Sequence, residues 1–364
     1  MDWSIFGWGG IASDAMSEKI PNAVVIGYGY AGRRFHSYLI GLTPGLRLHG
    51  VASRDPAVRQ QIVAERKCRA YESFEQVIAD AEVDLVVLAT PHDTHARLAV
   101  AAMNAGKHVV TDKVMCLRMA EADEMIETSR RKGVVLSVFH NRRLDGDFLT
   151  LKQVLAEGTL GEVRWIEMAW QRWGPPRNWR AKRASGGGRL YDLGAHMIDQ
   201  LLQLFPEPVE SVYCRMHHDF DPASGVDVES QATVTIGFAG GRTGIADASS
   251  FAALHKPRFY ALGSAATFMK HGVDPQEAAL ASESIDSARE DEYEYALVHD
   301  GKSARVVPTL PGRWRSYYEN VAEAITRGEP LLVKPEEVRR VVGVLEAAVR
   351  SGETGEVVRF DRPL

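Results

Sequence analysis

The sequence predicts two folded parts within its 364 residues: an α/β part on a doubly wound parallel sheet over 20–140, then an α+β part with a large open antiparallel sheet over 141–364. Three observations predict this. A glycine-rich turn, Gly27-Tyr28-Gly29-Tyr30-Ala31-Gly32, joins an apolar run to a helix-forming segment. Short apolar runs then alternate with helix-length segments as far as about residue 139, the mark of βαβ units. Past Asn141 the alternation gives way to longer strand candidates separated by turn residues. Residues 1–19 precede both parts as an extension or partner-contacting arm.

The first strand is the apolar run 23–26, and a helix begins near Arg33, followed by a second strand at 46–52. That context turns GxGxxG into a dinucleotide site of the Rossmann type. Gly27 permits the tight turn, Gly29 lets backbone approach a pyrophosphate, and Gly32 lets helix and strand pack closely. The helix start adds free N–H groups and a positive dipole end. A second glycine run, Gly7-Trp8-Gly9-Gly10-Ile11-Ala12, has neither a preceding strand nor a following βαβ unit and is set aside.

Ser53 and Arg54 close the second strand, with Asp55 next. A hydroxyl and a guanidinium suit a 2′-phosphate, which favours NADP, whereas Asp55 keeps NAD open through the ribose 2′-hydroxyl. The stretch 53–56 also reads as a cap for the next helix. Helices are expected at 56–67, 73–79, 94–105 and 119–132, with strands at 70–71, 84–90, 108–111 and 134–139. Thr90-Pro91-His92, with His95 close behind, and Thr111-Asp112-Lys113 then fall at the carboxyl ends of strands. Ligands of such sheets bind there, so these residues and Asn141 join the glycine turn as candidate cofactor contacts.

In the second part, strands are expected at 163–170, 209–217, 230–238, 244–251, 258–262, 293–299 and 305–310. Gly240-Gly241 and Asp300-Gly301 between apolar runs mark hairpins. Helices are expected at 148–157, 194–205, 315–327 and 335–350, the last with Val338, Val341, Val342, Leu345 and Val349 on one face.

Composition excludes several classes. Forty-three Lys+Arg against 48 Asp+Glu leave a net charge of −5, without the basic excess that nucleic-acid binding needs. The apolar runs 85–90 and 341–349 are too short to span a membrane. Arg33-Arg34-Phe35 looks like a twin-arginine signal, but its apolar stretch ends at Gly41 and Pro44. Cys68, Cys116 and Cys214 lie outside any CxxC spacing, so neither disulfide framework nor metal site is expected and a cytoplasmic setting fits best.

The chemistry-bearing stretch is Tyr191-Asp192-Leu193-Gly194-Ala195-His196. On a helix, Asp192 and His196 would face the same way and form an acid/base pair; a capping Asp with a His stacked on it by chance has the same spacing. Upstream, Trp165, Trp170, Arg172, Trp173, Arg177, Trp179, Arg180, Lys182 and Arg183 crowd one segment. Ring faces suit sugar C–H surfaces and arginine forks suit hydroxyls or an anionic substituent, so Arg172, Trp173 and Trp179 are substrate candidates; a subunit interface would also concentrate them. His140-Asn141-Arg142 should lie where the two parts meet, with His140 and Arg142 facing substrate, while Arg143 could equally link the parts.

Taken together, GYGYAGRRFHSYLI, TPHDTHARLAVAAMNAGKHVV, SVFHNRRLDGDFLTLKQVLAEGTLGEV, GGGRLYDLGAHMIDQLLQLF and KHGVDPQEA resemble the Gfo/Idh/MocA oxidoreductases, most closely the NADP-dependent scyllo-inositol dehydrogenase branch. The resemblance spans nearly everything after residue 20 and implies Lys113, Asp192 and His196 as catalytic residues, matching Glu-Lys-Pro and DxGxH motifs. His196 would be the base, Lys113 would stabilise the alkoxide or relay its proton, and Asp192 would bind the adjacent hydroxyl and tune His196. Here Asp112-Lys113-Val114 replaces Glu-Lys-Pro, and valine is expected not to supply a proline-imposed backbone or cis bond. The expected activity is NAD(P)-dependent hydride transfer at a secondary hydroxyl of a sugar, inositol or derivative. Redox-neutral glycoside elimination and non-catalytic cofactor sensing are alternatives. A homodimer or homotetramer is implied by the resemblance alone.

Overall fold

The computed structural model describes residues 19–360 and 364. The glycine run 7–12 and nearly all of the proposed arm lie outside these residues. The first sheet starts with β1 (Asn22–Ile26), every residue of which is buried. A π turn, Gly32–His36, leads into α1 (Ser37–Gly41), followed by β2 (Arg47–Ala52) and α2 (Pro56–Arg66). Asp55 caps α2 by accepting from the Ala57 N–H, which uses the 53–56 stretch as a helix start. Next come β3 (Arg69–Tyr71), α3 (Phe74–Ala79), β4 (Leu85–Leu88), α4 (His95–Asn104), β5 (His108–Thr111), α5 (Met119–Lys132) and β6 (Leu136–Val138). All six strands run parallel in the order β3-β2-β1-β4-β5-β6. That order reverses at β1/β4, which opens a crevice at the carboxyl edge.

The chain crosses over through α6 (Gly146–Ala156), β7 (Val163–Gln171), a second π turn at Leu190–Gly194, and α7 (Ala195–Leu204). Then follow β8 (Val209–His217), β9 (Gln231–Phe238), β10 (Arg242–Ser249), β11 (Phe259–Gly263) and β12 (Thr267–Lys270). After α8 (Gln276–Leu280) come β13 (Ala296–His299), β14 (Ala304–Val307), α9 (Arg315–Arg327), α10 (Pro335–Thr354) and β15 (Val358–Arg359). The nine strands form one open sheet, β14-β13-β12-β11-β7-β10-β9-β8-β15.

Three features differ from expectation. The sheet is mixed, because β10 pairs parallel with β7 across a long connection that includes α7, β8 and β9. β12 escapes a hydrophobicity reading because its last residue, Lys270, is a fully buried lysine; its ammonium donates to Glu290 and to the carbonyls of His271 and Glu294. Strands expected at 293–299 and 305–310 are trimmed to β13 and β14.

The last two helices knit the sheets together. Trp314, Tyr317 and Tyr318 are fully buried, and the Tyr317 and Tyr318 rings pack on Phe139 while Tyr318 OH meets His36 Nδ1 at 2.6 Å. α10 packs on α5, α7 and β8. On the opposite side, Tyr30, Arg34 and Arg66 donate to Glu277, the Ala281 carbonyl and Glu283 respectively. Both residues of the twin-arginine dipeptide are therefore engaged in the fold, Arg33 pairing with Glu65. Among the described residues no helix is long and apolar enough to cross a membrane. All three cysteines are free thiols.

Candidate active site

The crevice of the parallel sheet faces the second π turn across a cavity of about 290 Å³. In the glycine turn whose Tyr30 and Ala31 line this cavity, Gly27 holds φ +99°, and a Cβ there would lie 2.6 Å from the Ala89 oxygen. A Cβ on Gly32 would lie 2.1 Å from the Gly27 oxygen, so glycine is required for helix and turn to meet. At Gly29 a Cβ would meet nothing within 4 Å, leaving that backbone open to an incoming group. A turn jammed at two glycines and exposed at the third is a cradle that fits a dinucleotide pyrophosphate.

Lys113, leaving β5, is buried; its ammonium donates to the Asp192 carbonyl oxygen and stands 3.4 Å from Asp192 Oδ1. Asp192 Oδ1 also accepts from Arg180 Nε at 3.1 Å, and Oδ2 lies 3.3 Å from an Arg189 nitrogen. Burial pushes the Asp192 carboxyl up, but Lys113, Arg180 and Arg189 outweigh it and hold the group well below the usual carboxylate range. Burial lowers the Lys113 ammonium, with Asp192 and Asp112 opposing. Asp112 is likewise held down: burial raises it, but His36 and Lys113 prevail.

His196 opens the cavity's other wall. Its ring tilts against Trp170 at 5.6 Å and meets His140 edge-on at 6.1 Å, and its Nδ1 is buried without a partner. Burial first, then Lys113 and Arg142, depress its pKa well below the ordinary value, so the imidazole is neutral at neutral pH and able to accept a proton. Arg142 lies between the Trp170 and Trp314 rings, 4.6 and 4.7 Å from their centres, tied to Asp145 and Glu277.

An ammonium, an ionised carboxylate and a neutral imidazole thus converge beside a dinucleotide cradle. Residues 21–140 match the model of the oxidoreductase family with an NAD-binding Rossmann fold, and 148–269 match the GFO/IDH/MocA C-terminal domain. The chain belongs to the Gfo/Idh/MocA family. It is 34% identical over 358 residues to the uncharacterized oxidoreductase YdgJ of Escherichia coli, covering 93% of this chain and 98% of that one. It is 30% identical to the scyllo-inositol 2-dehydrogenase (NADP(+)) IolW of Bacillus subtilis, covering 93% and 95%. An NAD-binding protein from Listeria innocua superposes with a TM-score of 0.81 at 28% identity, covering 94% and 97%.

In this Gfo/Idh/MocA chain the Lys113–Val114 peptide is cis, so the expectation that valine would lose that geometry is corrected. Asp192 and His196 line the same cavity, yet the carboxylate turns to three cations rather than to the imidazole. The reason is local: Leu190–Gly194 is a π turn closed i→i+5, in which residues four apart no longer stack.

Other expected contacts divide. Tyr30, Ala31, Asp112, Asn141, Arg142 and Arg172 line the cavity. Thr90 and Pro91 follow β4, where Thr90 Oγ1 bonds to Thr94. Ser53 and the exposed Arg54 end β2, their carbonyls accepting from Arg59. The Tyr28 side chain turns away to Glu65 and Arg66, because α2 lies beneath it. His92 is buried against Trp179, with Nδ1 at the Gly186 carbonyl, so both residues join the two halves and neither lines the cavity. His95 spans the Val114 and Thr90 carbonyls, behind the Lys113 backbone. His140 stands behind His196, 3.6 Å from Asp199, and does not reach the cavity. Trp173 is 71% exposed and bridges to Phe251 outside it. Arg143 is a structural link, pairing with Asp199 and Glu337. Sequence reasoning missed Phe35, Phe139, Leu193 and Glu277 as lining residues; Trp170 and Arg180 were noted only within their cluster.

Proposed function

We propose that the protein oxidises a secondary hydroxyl of a sugar, inositol or related polyol, or reduces the matching carbonyl, with NADP favoured over NAD. The observation that carries it is the meeting of Lys113 from the first sheet with Asp192 and His196 from the second π turn and α7 in one cavity beside the glycine turn. A dinucleotide held by its pyrophosphate at that turn would supply the nicotinamide as hydride acceptor. His196, neutral and buried, takes the proton of the reacting hydroxyl. Lys113 donates to the same oxygen as negative charge builds on it. Asp192 keeps that ammonium aimed and accepts from the neighbouring hydroxyl. The excluded solvent around these buried groups strengthens each interaction. NADP is favoured by Ser53 and Arg54 at the end of β2, and the relative IolW is named for NADP.

The test is a panel of inositols, sugars and glycosides with each cofactor, followed by absorbance of the reduced nicotinamide and by release of aglycone. Accumulation of reduced cofactor with a free polyol or sugar is expected. Aglycone release without net reduction, or cofactor binding with no turnover of any member, would overturn the proposal.

A further inference from the structure

The cavity wall carries more cation than carboxylate. Lys113, Arg142, Arg172 and Arg180 face Asp112, Asp192 and Glu277, an excess of one positive charge over the lining residues. The carboxylates are already engaged. Asp192 is shared by Lys113, Arg180 and Arg189, the last a cation just outside the lining. Glu277 accepts from Arg142 and from the Tyr30 hydroxyl. Asp112 Oδ1 holds the Lys113 backbone N–H, and its Oδ2 faces His36 at 3.7 Å.

Three of the four lining cations therefore end on a carboxylate oxygen. Arg172 differs. Its backbone is pinned just beyond β7, its N–H donating to the Ser249 carbonyl at 2.9 Å and its carbonyl accepting from Ala252 at 3.2 Å. Its side chain is exposed, and the guanidinium stands 6.0 Å from the Trp170 ring centre. Its charge acts on both Glu277, which lines the cavity, and Arg189, which stands beside Asp192. A planar fork without a side-chain hydrogen bond among the described residues, near an aromatic ring, matches an anion presenting two parallel oxygens.

We propose that the substrate carries a carboxylate, received by Arg172 at the cavity wall while its reacting hydroxyl lies between Lys113 and His196. The substrate class is then a sugar acid or carboxylated polyol, whose single negative charge offsets the one-charge excess of the wall. This rests on the oxidoreductase reading above. A phosphate ester offers the same anionic chemistry with more charge, so it forms a separate arm of the test.

Initial rates with NADP are measured for matched pairs, glucose with glucuronate and galactose with galacturonate, alongside a sugar phosphate. The acid member is expected to show kcat/KM roughly thirtyfold above its neutral partner, mainly through KM. Arg172→Leu should collapse that ratio towards one, and Arg172→Lys should keep part of it. Because Arg172 is exposed, both variants should fold. Equal kcat/KM within the pairs, or a ratio that survives Arg172→Leu, overturns the carboxylate assignment and leaves the dehydrogenase reading standing. Preference for the phosphate alone overturns it as well. No cofactor reduction with any of these, nor with any inositol, sugar or glycoside of the wider panel, overturns both readings.

Discussion

His196 is held in the form a base requires by burial and by the cations around it, and Asp192 has no direct part in this. Replacing it with alanine should lower kcat by about 10²–10⁴-fold, the usual contribution of a positioned base, while leaving the Kd for NADP unchanged because the glycine cradle is separate. Isothermal titration beside steady-state rates would show the split; near-normal kcat would rule the residue out as base. The sign of its pKa shift sets the pH profile. The imidazole stays unprotonated as pH falls through 6.5, where a free histidine takes up its proton, so the acid limb of kcat/KM should lie below that pH. An acid limb above it would contradict a depressed His196. Arg142 and Lys113 act in the same direction, so neutralising Arg142 should move the limb upward.

The two elements that begin with π turns, one after the glycine cradle and one before α7, deliver the site's backbone. Within the first, glycines 29 and 32 have opposite roles. Gly32→Ala would drive a Cβ to 2.1 Å from the Gly27 oxygen and should lower the melting temperature. Gly29→Ala meets no protein atom within 4 Å and should fold normally yet weaken NADP binding about tenfold, ~1.4 kcal/mol. Equal effects of the two on melting and binding would refute that division. Much of this element was legible in advance, because a strand, GxGxxG and a helix are local signals with a known period. The parallel, doubly wound sheet followed from the same alternation. What stayed hidden was set by distant neighbours: Glu277 reaches Arg142 across 135 residues, and no periodicity encodes that. The one parallel pair among the described strands of the mostly antiparallel sheet, β7–β10, was not foreseen, because alternation along a strand does not reveal the direction of its partner. His92 was assigned to a ligand from its strand-end position and His140 from its place where the two parts meet, whereas packing against Trp179 and Asp199 claimed them.

Across the molecule, buried ionisable groups join the two sheets, and their protonation links pH to stability. Burial lowers His92 to about 3 and His140 to about 4, so the unfolded chain binds these protons first as pH falls below 6.5. Stability contributed by both is therefore present above 6.5 and lost as pH falls towards 4 and then 3. Asp147, raised by burial to about 6, works in the opposite direction, its stabilisation appearing as pH falls below 6. Burial raises Asp145 and Glu229 as well, but it lowers His95, His108 and His196 alongside His92 and His140; these five histidines outnumber the three raised carboxyls, so the urea midpoint at pH 5 should fall below that at pH 7, and a rise would show that the buried carboxylates dominate. The contacts of Tyr30, Arg34 and Arg66 with Glu277, Ala281 and Glu283 have a kinetic consequence. Each is polar and at least partly exposed, worth about 0–1 kcal/mol, so together they form a weak latch beside the dinucleotide cradle rather than a clamp. Salt should open it. The residence time of bound NADPH, followed by stopped-flow fluorescence, should shorten as ionic strength rises, and the dependence should be shallower in Glu283→Gln, which lacks the Arg66 ion pair. Such a latch would let cofactor leave while the helices that tie the sheets together stay in place, so exchange between turnovers needs no hinge between the two halves.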